Sequence, residues 1–329
     1  MFWLGILISA VFLYLAIRGL DLKALWNTIK TIELIWLLPG ILSYFLGVWV
    51  RAARWSILLK GKYSPSPAHL FPSICIGYLG NNIFPARAGE FLRAYQLREK
   101  RAIPMSTSLA TIIVERIFDG LVMIIFILKG LPGFLGQLQN PLLSGLIQWI
   151  LIAGSILFIA AFILVLVSAV YPDKAKQVFD LVFLRVLPAK AHEKYHTLLN
   201  RFFEGMESLR SPLRVLSVFA LSLVVWIFET GLYWCTQRSF QLGIPFSQLL
   251  LLNGALNILS TIPSAPGYIG VFDAPGISLL NAMNVASENA AAYILTLHAA
   301  LWLPITLVGL IFFIREGLQW SQIQSQKMK

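Results

Sequence analysis

A chain of 329 residues that is 58% hydrophobic and only 12% charged, with a mean hydropathy of +0.76, is no soluble globular domain, in which about a quarter of residues carry charge. Lys and Arg number 26 against 15 Asp and Glu, a formal charge of +11. In so apolar a chain this excess points to basic cytoplasmic loops of a multi-span membrane protein and not to a nucleic-acid partner. Cys75 and Cys235 lie far apart in apolar stretches. They offer neither metal-ligand spacing nor a disulfide framework, so they read as packing residues, and no metal or cofactor is expected.

In chain order, the apolar run 2–17 lacks a basic leader and a small-x-small cleavage site, and is read as an uncleaved helix. Further runs at 34–50, 106–128, 146–170, 213–236 and 290–314 approach the ~20 residues that cross ~30 Å of hydrocarbon. The expected architecture is therefore an all-α polytopic membrane protein with six spanning helices. Two shorter apolar segments, 70–85 and 249–263, end at proline and run into glycine-rich sequence. Loops 51–67, 86–101, 171–214 and 315–329 hold 20 of the 26 basic residues. Placing them in the cytoplasm puts both termini inside, in a plasma or inner membrane. The two short segments then become re-entrant hairpins entering from opposite faces, or pairs of short spans.

The chain reads as one membrane domain, 1–329. Within it lie a first hairpin and basic motif at 69–101, a cytoplasmic interfacial segment at 171–214 and a second hairpin at 248–285. The hairpins share Pro-x-x-x-Gly: Pro85 to Gly89 in the first, Pro263 to Gly267 in the second, with Asn81, Asn82 and Asn257 upstream. Opposed broken helices meeting near the midplane are a transporter architecture. The asparagines, Pro85, Gly89, Pro263, Pro266, Gly267 and Gly270 are assigned to holding the hairpins, since freed backbone groups in a membrane need partners. In 171–214, Val178, Leu181, Val182, Leu184 and Leu187 give an apolar face beside Arg185, as on a helix lying along an anionic surface; a solvated connector stays open.

Charge inside the apolar runs marks the candidate site. Run 106–128 carries Glu115, Arg116 and Asp119, each costing about 2.5–3.5 kcal/mol at a helix centre. Arg116 and Asp119 can pair across one turn. The remaining carboxylate needs an outside cation, a proton or water. Either an internal ion cluster pins the packing, or a polar cavity takes a headgroup, a proton or both. Arg87 and Arg93, beside Glu90, stand where a broken helix would present guanidinium forks to phosphate. Glu229 is a further embedded acid, and Asp273 has no basic residue in its own loop. His298 reads as a packing or hydrogen-bonding residue.

Three pieces together resemble the flippase-like membrane domain of lysylphosphatidylglycerol synthases, which also occurs alone. They are Tyr78-Leu-Gly-Asn-Asn-Ile-Phe-Pro-Ala-Arg-Ala-Gly-Glu-Phe-Leu-Arg-Ala94, Glu115-Arg-Ile-Phe-Asp119 and Pro266-Gly-Tyr-Ile-Gly-Val-Phe-Asp273. The resemblance implies movement of a lipid or lipid-linked headgroup between leaflets. It nominates Arg87, Glu90, Arg93, Glu115, Arg116, Asp119 and Asp273 as substrate-binding, along with the second hairpin's Pro266, Gly267 and Gly270. The family's soluble aminoacyl-transfer domain is expected to be missing, so lysyl transfer is not assigned. Asp273 stands where Glu is expected in many relatives.

The leading expectation is a flippase for an anionic phospholipid or polyprenyl-phosphate-linked lipid, with Glu115, Asp119 and Glu229 as candidates for proton coupling. A homo-oligomer stays open. No Walker motif is present to supply ATP drive. The alternative is a membrane-embedded transferase acting on a polyprenyl-phosphate or phospholipid headgroup, although no Asp-x-Asp or Gly-x-Ser-x-Gly occurs. A non-lipid transporter or a scaffold is the third class.

Overall fold

The computed structural model describes residues 21–60, 63–84, 88–136, 141–185, 188, 191–262 and 264–317, together with 7, 10–12 and 14. Most of the 2–17 run, and the hairpin residues Pro85, Arg87 and Pro263, therefore lie outside the described residues, as does Leu187. Among the described residues the chain is helical, with no strand beyond one isolated bridge between Lys60 and Tyr63.

Helix α1, Leu22–Lys30, starts where the Asp21 carboxylate accepts the free amides of Lys23 and Ala24. A 3-10 turn, Leu34–Trp36, leads into α2, Leu37–Leu58. Helices α3, Pro67–Ile83, and α4, Ala88–Arg101, follow. Next come α5, Met105–Leu135, and α6, Pro141–Val170. Two short helices, α7 (Pro172–Phe183) and α8 (His192–Gly205), precede α9, Pro212–Ser239. The chain continues through α10, Phe246–Leu259, and α11, Asp273–Ala282, to α12, Ser287–Arg315.

Four of these stretches are long and apolar enough to cross a membrane: Leu34–Leu58, Ile152–Val170, Pro212–Ser239 and Ser287–Arg315. The protein is an all-α membrane protein. Helix α5 is longer still, at 31 residues, but carries Glu115, Arg116 and Asp119 in its N-terminal half.

One expected boundary is corrected. The apolar run 34–50 was expected to end at a cytoplasmic loop beginning with Arg51. The helix instead continues to Leu58, and Arg51 and Arg54 are buried within it at 5% and 0% exposure. Hydropathy falls at the first arginine, whereas helix geometry does not; no Gly or Pro interrupts 48–58.

Packing is by antiparallel pairs. Along α2 and α9, Gly40 meets Leu232 and Cys235, while Gly47 meets Val225 and Phe228. Along α3 and α4, Gly80 meets Gly89, Gly77 meets Arg93, and the Ser73 hydroxyl reaches Gln96. Small residues let backbones approach where lipid offers no hydrophobic drive. Helix α3 also lies on α12, with Gly309 against Cys75 and Leu79, and α10 lies on α5, with Gly254 against Met123 and Ile127.

These contacts come in two matched sets. The helices 37–58 and 212–239 pair with each other. Each is followed by a short apolar helix, α3 or α10, that packs on the long helix closing the other set, α12 or α5. Helix α6 covers α5, with Phe158 over Gly120 and Phe162 over Phe118, and leaves Ile156, Leu157 and Leu164 exposed.

The segment 171–214 forms α7, α8 and a 3-10 turn, Glu207–Arg210. Gly205 at the end of α8 sits on Thr107 and Ala110 at the start of α5. Val178, Leu181 and Val182 on α7 are exposed.

Candidate functional site

A cavity of about 150 Å³ lies where α2, α3, α4, α5, α9 and α12 converge on the turn at Gly267. Its charged wall is a lattice of ion pairs. Arg54 of α2 grips Asp119 of α5, with Nη1–Oδ1 at 2.5 Å, and also stands 3.4 Å from Glu115. Arg93 of α4 reaches the other oxygen of Glu115 at 2.8 Å. Arg51 meets Glu229 of α9 at 2.7 Å and Asp119 at 3.9 Å. Arg116 is 3.5 Å from both Asp119 and Glu90.

Four guanidiniums therefore face four carboxylates, and the lattice balances without an added proton or ion. Ser222 and the Trp226 indole complete it, the latter donating to Asp119 Oδ1 at 2.8 Å. Arg51 stacks on Trp226 and Arg93 on Trp55, at 4.3 and 4.8 Å from the ring centroids.

Exposure separates two kinds of residue within the lattice. Arg51, Arg54, Arg93 and Glu115 keep 7% or less of their side chains exposed, whereas Arg116 keeps 38% and Glu90 22%. A buried ion pair is held by geometry and is costly to break. The Arg116–Glu90 pair is the part of the lattice open to the cavity and its solvent. Arg116 Nε is itself buried with no hydrogen-bond partner.

The sequence-nominated residues Glu90, Arg93, Glu115, Arg116, Asp119 and Glu229 thus come together. The outside cations that Glu115 and Asp119 required are Arg51, Arg54 and Arg93. The first two were missed because they read as basic loop residues; their i, i+3 spacing on an uninterrupted helix was the available signal.

The asparagines take different partners. Asn81 Oδ1 accepts the Gly89 amide at 2.9 Å, closing the α3–α4 turn. Asn82 reaches across to α12, donating to Thr306 Oγ1 at 2.7 Å. Asn257 donates to Glu229 at 3.3 Å and to Asn253 at 2.6 Å, so it braces the lattice from α10.

On the opposite wall, Pro266–Tyr268 forms a 3-10 turn in which Gly267 has φ +71°; Tyr268 and Gly270 follow at +61° and +81°. A Cβ on Gly267 would lie 2.7 Å from the Trp302 indole nitrogen, so this turn fits α12 only as glycine. Asp273 is buried at the start of α11. Its Oδ2 accepts the Gly270 amide at 2.8 Å, and its Oδ1 faces His298 Nδ1 at 2.7 Å. The basic partner missing from its own loop comes from α12.

The family described as lysylphosphatidylglycerol synthase TM region matches residues 2–309. A UPF0104 membrane protein of Methanothermobacter thermautotrophicus is 25% identical over 291 residues, covering 82% of this chain and 80% of that protein. A UPF0104 membrane protein of Methanocaldococcus jannaschii is 24% identical over 324 residues, 93% and 92% of the two chains. The glycosyltransferase AglD of Haloferax volcanii is 33% identical over 102 residues, which is 29% of this chain and 16% of AglD. No solved structure matches.

Proposed function

The chain belongs to the family of lysylphosphatidylglycerol synthase transmembrane regions, and we propose that it is a lipid transporter of the cell membrane that carries an anionic or lipid-linked headgroup between leaflets. The observation behind this reading is a cavity lined by guanidiniums and carboxylates inside a body of apolar helices. Exposed charge is expensive there and persists where it serves an ion or substrate path.

In this reading a phosphate-bearing headgroup displaces Glu90 from Arg116, the one lattice cation with substantial exposure. A guanidinium fork matches phosphate bidentately. Arg87, in the segment joining α3 to α4, adds a further cation by sequence. The buried Arg51, Arg54 and Arg93 hold the wall in place while the acyl chains stay in lipid.

The same reading takes α3–α4 and α10–α11 as opposed re-entrant hairpins of an inverted repeat, with six spans in all. The matched packing sets described above support it. The basic-loop asymmetry survives removal of the buried Arg51, Arg54 and Arg93, at 17 residues against five, and favours cytoplasmic termini.

The test is headgroup movement of fluorescent or spin-labelled anionic phospholipids and polyprenyl phosphates in proteoliposomes. Wild type is expected to move at least one of them, and Arg116→Gln and Arg87→Ala to slow it by about tenfold or more. An inert wild type sinks the reading for those lipids. The partial likeness to glycosyltransferase AglD is one observation for a transferase instead; transfer of label between headgroups in the same vesicles would identify it.

A further inference from the structure

We propose that His298 and Asp273 form a proton-binding latch on the Gly267 turn, so that the protein binds one proton when the turn closes on α12 and releases it when the turn opens. The argument is an inventory of hydrogens. His298 Nε2 lies 2.8 Å from the Gly267 carbonyl oxygen. A carbonyl has no hydrogen to give, so Nε2 carries one. His298 Nδ1 lies 2.7 Å from Asp273 Oδ1, and that contact needs a second hydrogen between the two atoms. A neutral imidazole with an ionised carboxylate supplies only one. The closed pair therefore holds one proton more, whether as imidazolium with carboxylate or as imidazole with carboxylic acid. A reversed ring would put carbon against both oxygens.

Water cannot easily stand in. The Asp273 side chain is 3% exposed and that of His298 15%, and the second carboxylate oxygen is taken by the Gly270 amide. Without the proton, a nitrogen lone pair faces a carboxylate oxygen at hydrogen-bond distance, and the turn loses its anchor.

The other charged and titratable groups around the cavity do not supply that proton in the closed form. From α2, Arg51 is spent on Glu229 of α9, and Tyr44 lines the wall. Tyr78 of α3, Tyr233 of α9 and Tyr268 of the turn itself also line it, and Arg54 of α2 is spent on Asp119. On α4 and α5, Glu90 pairs with Arg116 and Glu115 with Arg93. No ionisable group of α1, which also packs on α12, lines the cavity among the described residues.

His298, Trp302 and Thr306 are spaced four apart on one face of α12. The second turn is latched at His298, Gly267 abuts Trp302, and Asn82 of the first hairpin is tied to Thr306. Release at one end of this face bears on both tips. The role in transport rests on the lipid-transport reading above. It moves the coupling site from the sequence candidates Glu115, Asp119 and Glu229, whose lattice balances by itself, to a pair outside the lattice. Since the closed form holds the extra proton, raising the pH opens the turn. The closed-to-open ratio falls by up to about tenfold per pH unit where only the closed form keeps the proton.

The test is amide hydrogen exchange across 264–272 in lipid nanodiscs, corrected for the pH dependence of the chemistry, in wild type and Asp273→Asn. Wild type should lose protection by tenfold or more as pH rises. Asp273→Asn should stay protected throughout, because its carboxamide accepts the Gly270 amide and donates to a bare Nδ1 with no added proton. A wild type whose protection ignores pH, or an Asn variant that keeps the dependence, overturns the latch. If Asp273→Asn does not fold, ¹⁵N spectra of wild type decide. There are four histidines, and His298→Gln assigns the signal: in the closed form Nε2 must be protonated and Nδ1 must be either protonated or strongly hydrogen-bonded by an acid proton, and a bare Nε2, or a free Nδ1 lone pair, refutes it. Neither readout uses lipid movement, so a failed latch leaves the transport reading standing, and failed transport leaves the latch.

Discussion

Arg54 and Arg116 carry the same charge in the same lattice and should behave differently when removed. Arg54 is fully enclosed and bonds Asp119, Glu115 and Ser222. Arg54→Ala leaves four carboxylates facing three guanidiniums, a defect of about 3–5 kcal/mol in a buried lattice. Arg116, more than a third exposed, is partly solvated, and its loss should cost no more than about 1 kcal/mol. Thermal unfolding in detergent checks this: a large drop in Tm is expected for Arg54→Ala and a small one for Arg116→Gln. Equal drops would remove the distinction between framework and reachable cations. The acidic half of this lattice was legible in the sequence, because Glu115, Asp119 and Glu229 interrupt apolar runs and Glu90 stands in the Pro-x-x-x-Gly motif's basic stretch. Half of the cations were not. Arg51 and Arg54 sit at the end of a run, where hydropathy cannot tell a helix that continues from a basic loop that begins. The proton on His298 was out of reach for a different reason, since it depends on two oxygens brought from 25 and 31 residues away.

At the scale of elements, the α3–α4 pair turns on glycine. A Cβ on Gly89 would lie 1.8 Å from the Gly77 carbonyl oxygen and 2.6 Å from the Asn81 amide nitrogen, both backbone atoms that no rotamer change can move. Gly89→Ala should therefore force α4 off α3, pulling Arg93 from Glu115 and leaving the Asn81 side chain without the Gly89 amide. Gly154 of α6 has nothing within 4 Å of such a Cβ, and Gly154→Ala should be neutral or stabilise by up to about 1 kcal/mol through helix propensity. Yield of monodisperse protein and its Tm, measured on both variants, test the contrast; tolerance of alanine at 89 would mean the two helices are not packed as described. The Pro-x-x-x-Gly motif marked a break between two helices, and the described residues on either side are helical, α3 ending at Ile83 and α4 starting at Ala88. It could not announce the partners of the tips, because Asn82 to Thr306 and Gly267 to Trp302 are contacts across the chain, and a single sequence carries no signal for them.

For the whole molecule, the matched packing sets raise a mechanical question. Each short helix following one central helix leans on the long helix that closes the other set, so the two sets interlock through α3 on α12 and α10 on α5. If a headgroup passes by rocking of one set against the other, the first hairpin's tip must part from α12 during each cycle. If the cavity is instead a fixed groove along which headgroups slide, it need never part. Asn82 and Thr306 stand at that contact, with their side chains 2.7 Å apart. A protein carrying Asn82→Cys and Thr306→Cys, with the native Cys75 and Cys235 replaced by alanine, can be bridged with a short bifunctional thiosulfonate that reductant cleaves. Rocking predicts that bridging cuts lipid movement in proteoliposomes to below about a tenth and that reductant restores it. Full movement with the bridge in place would assign transport to a static path, with Arg116 as a stepping point along it.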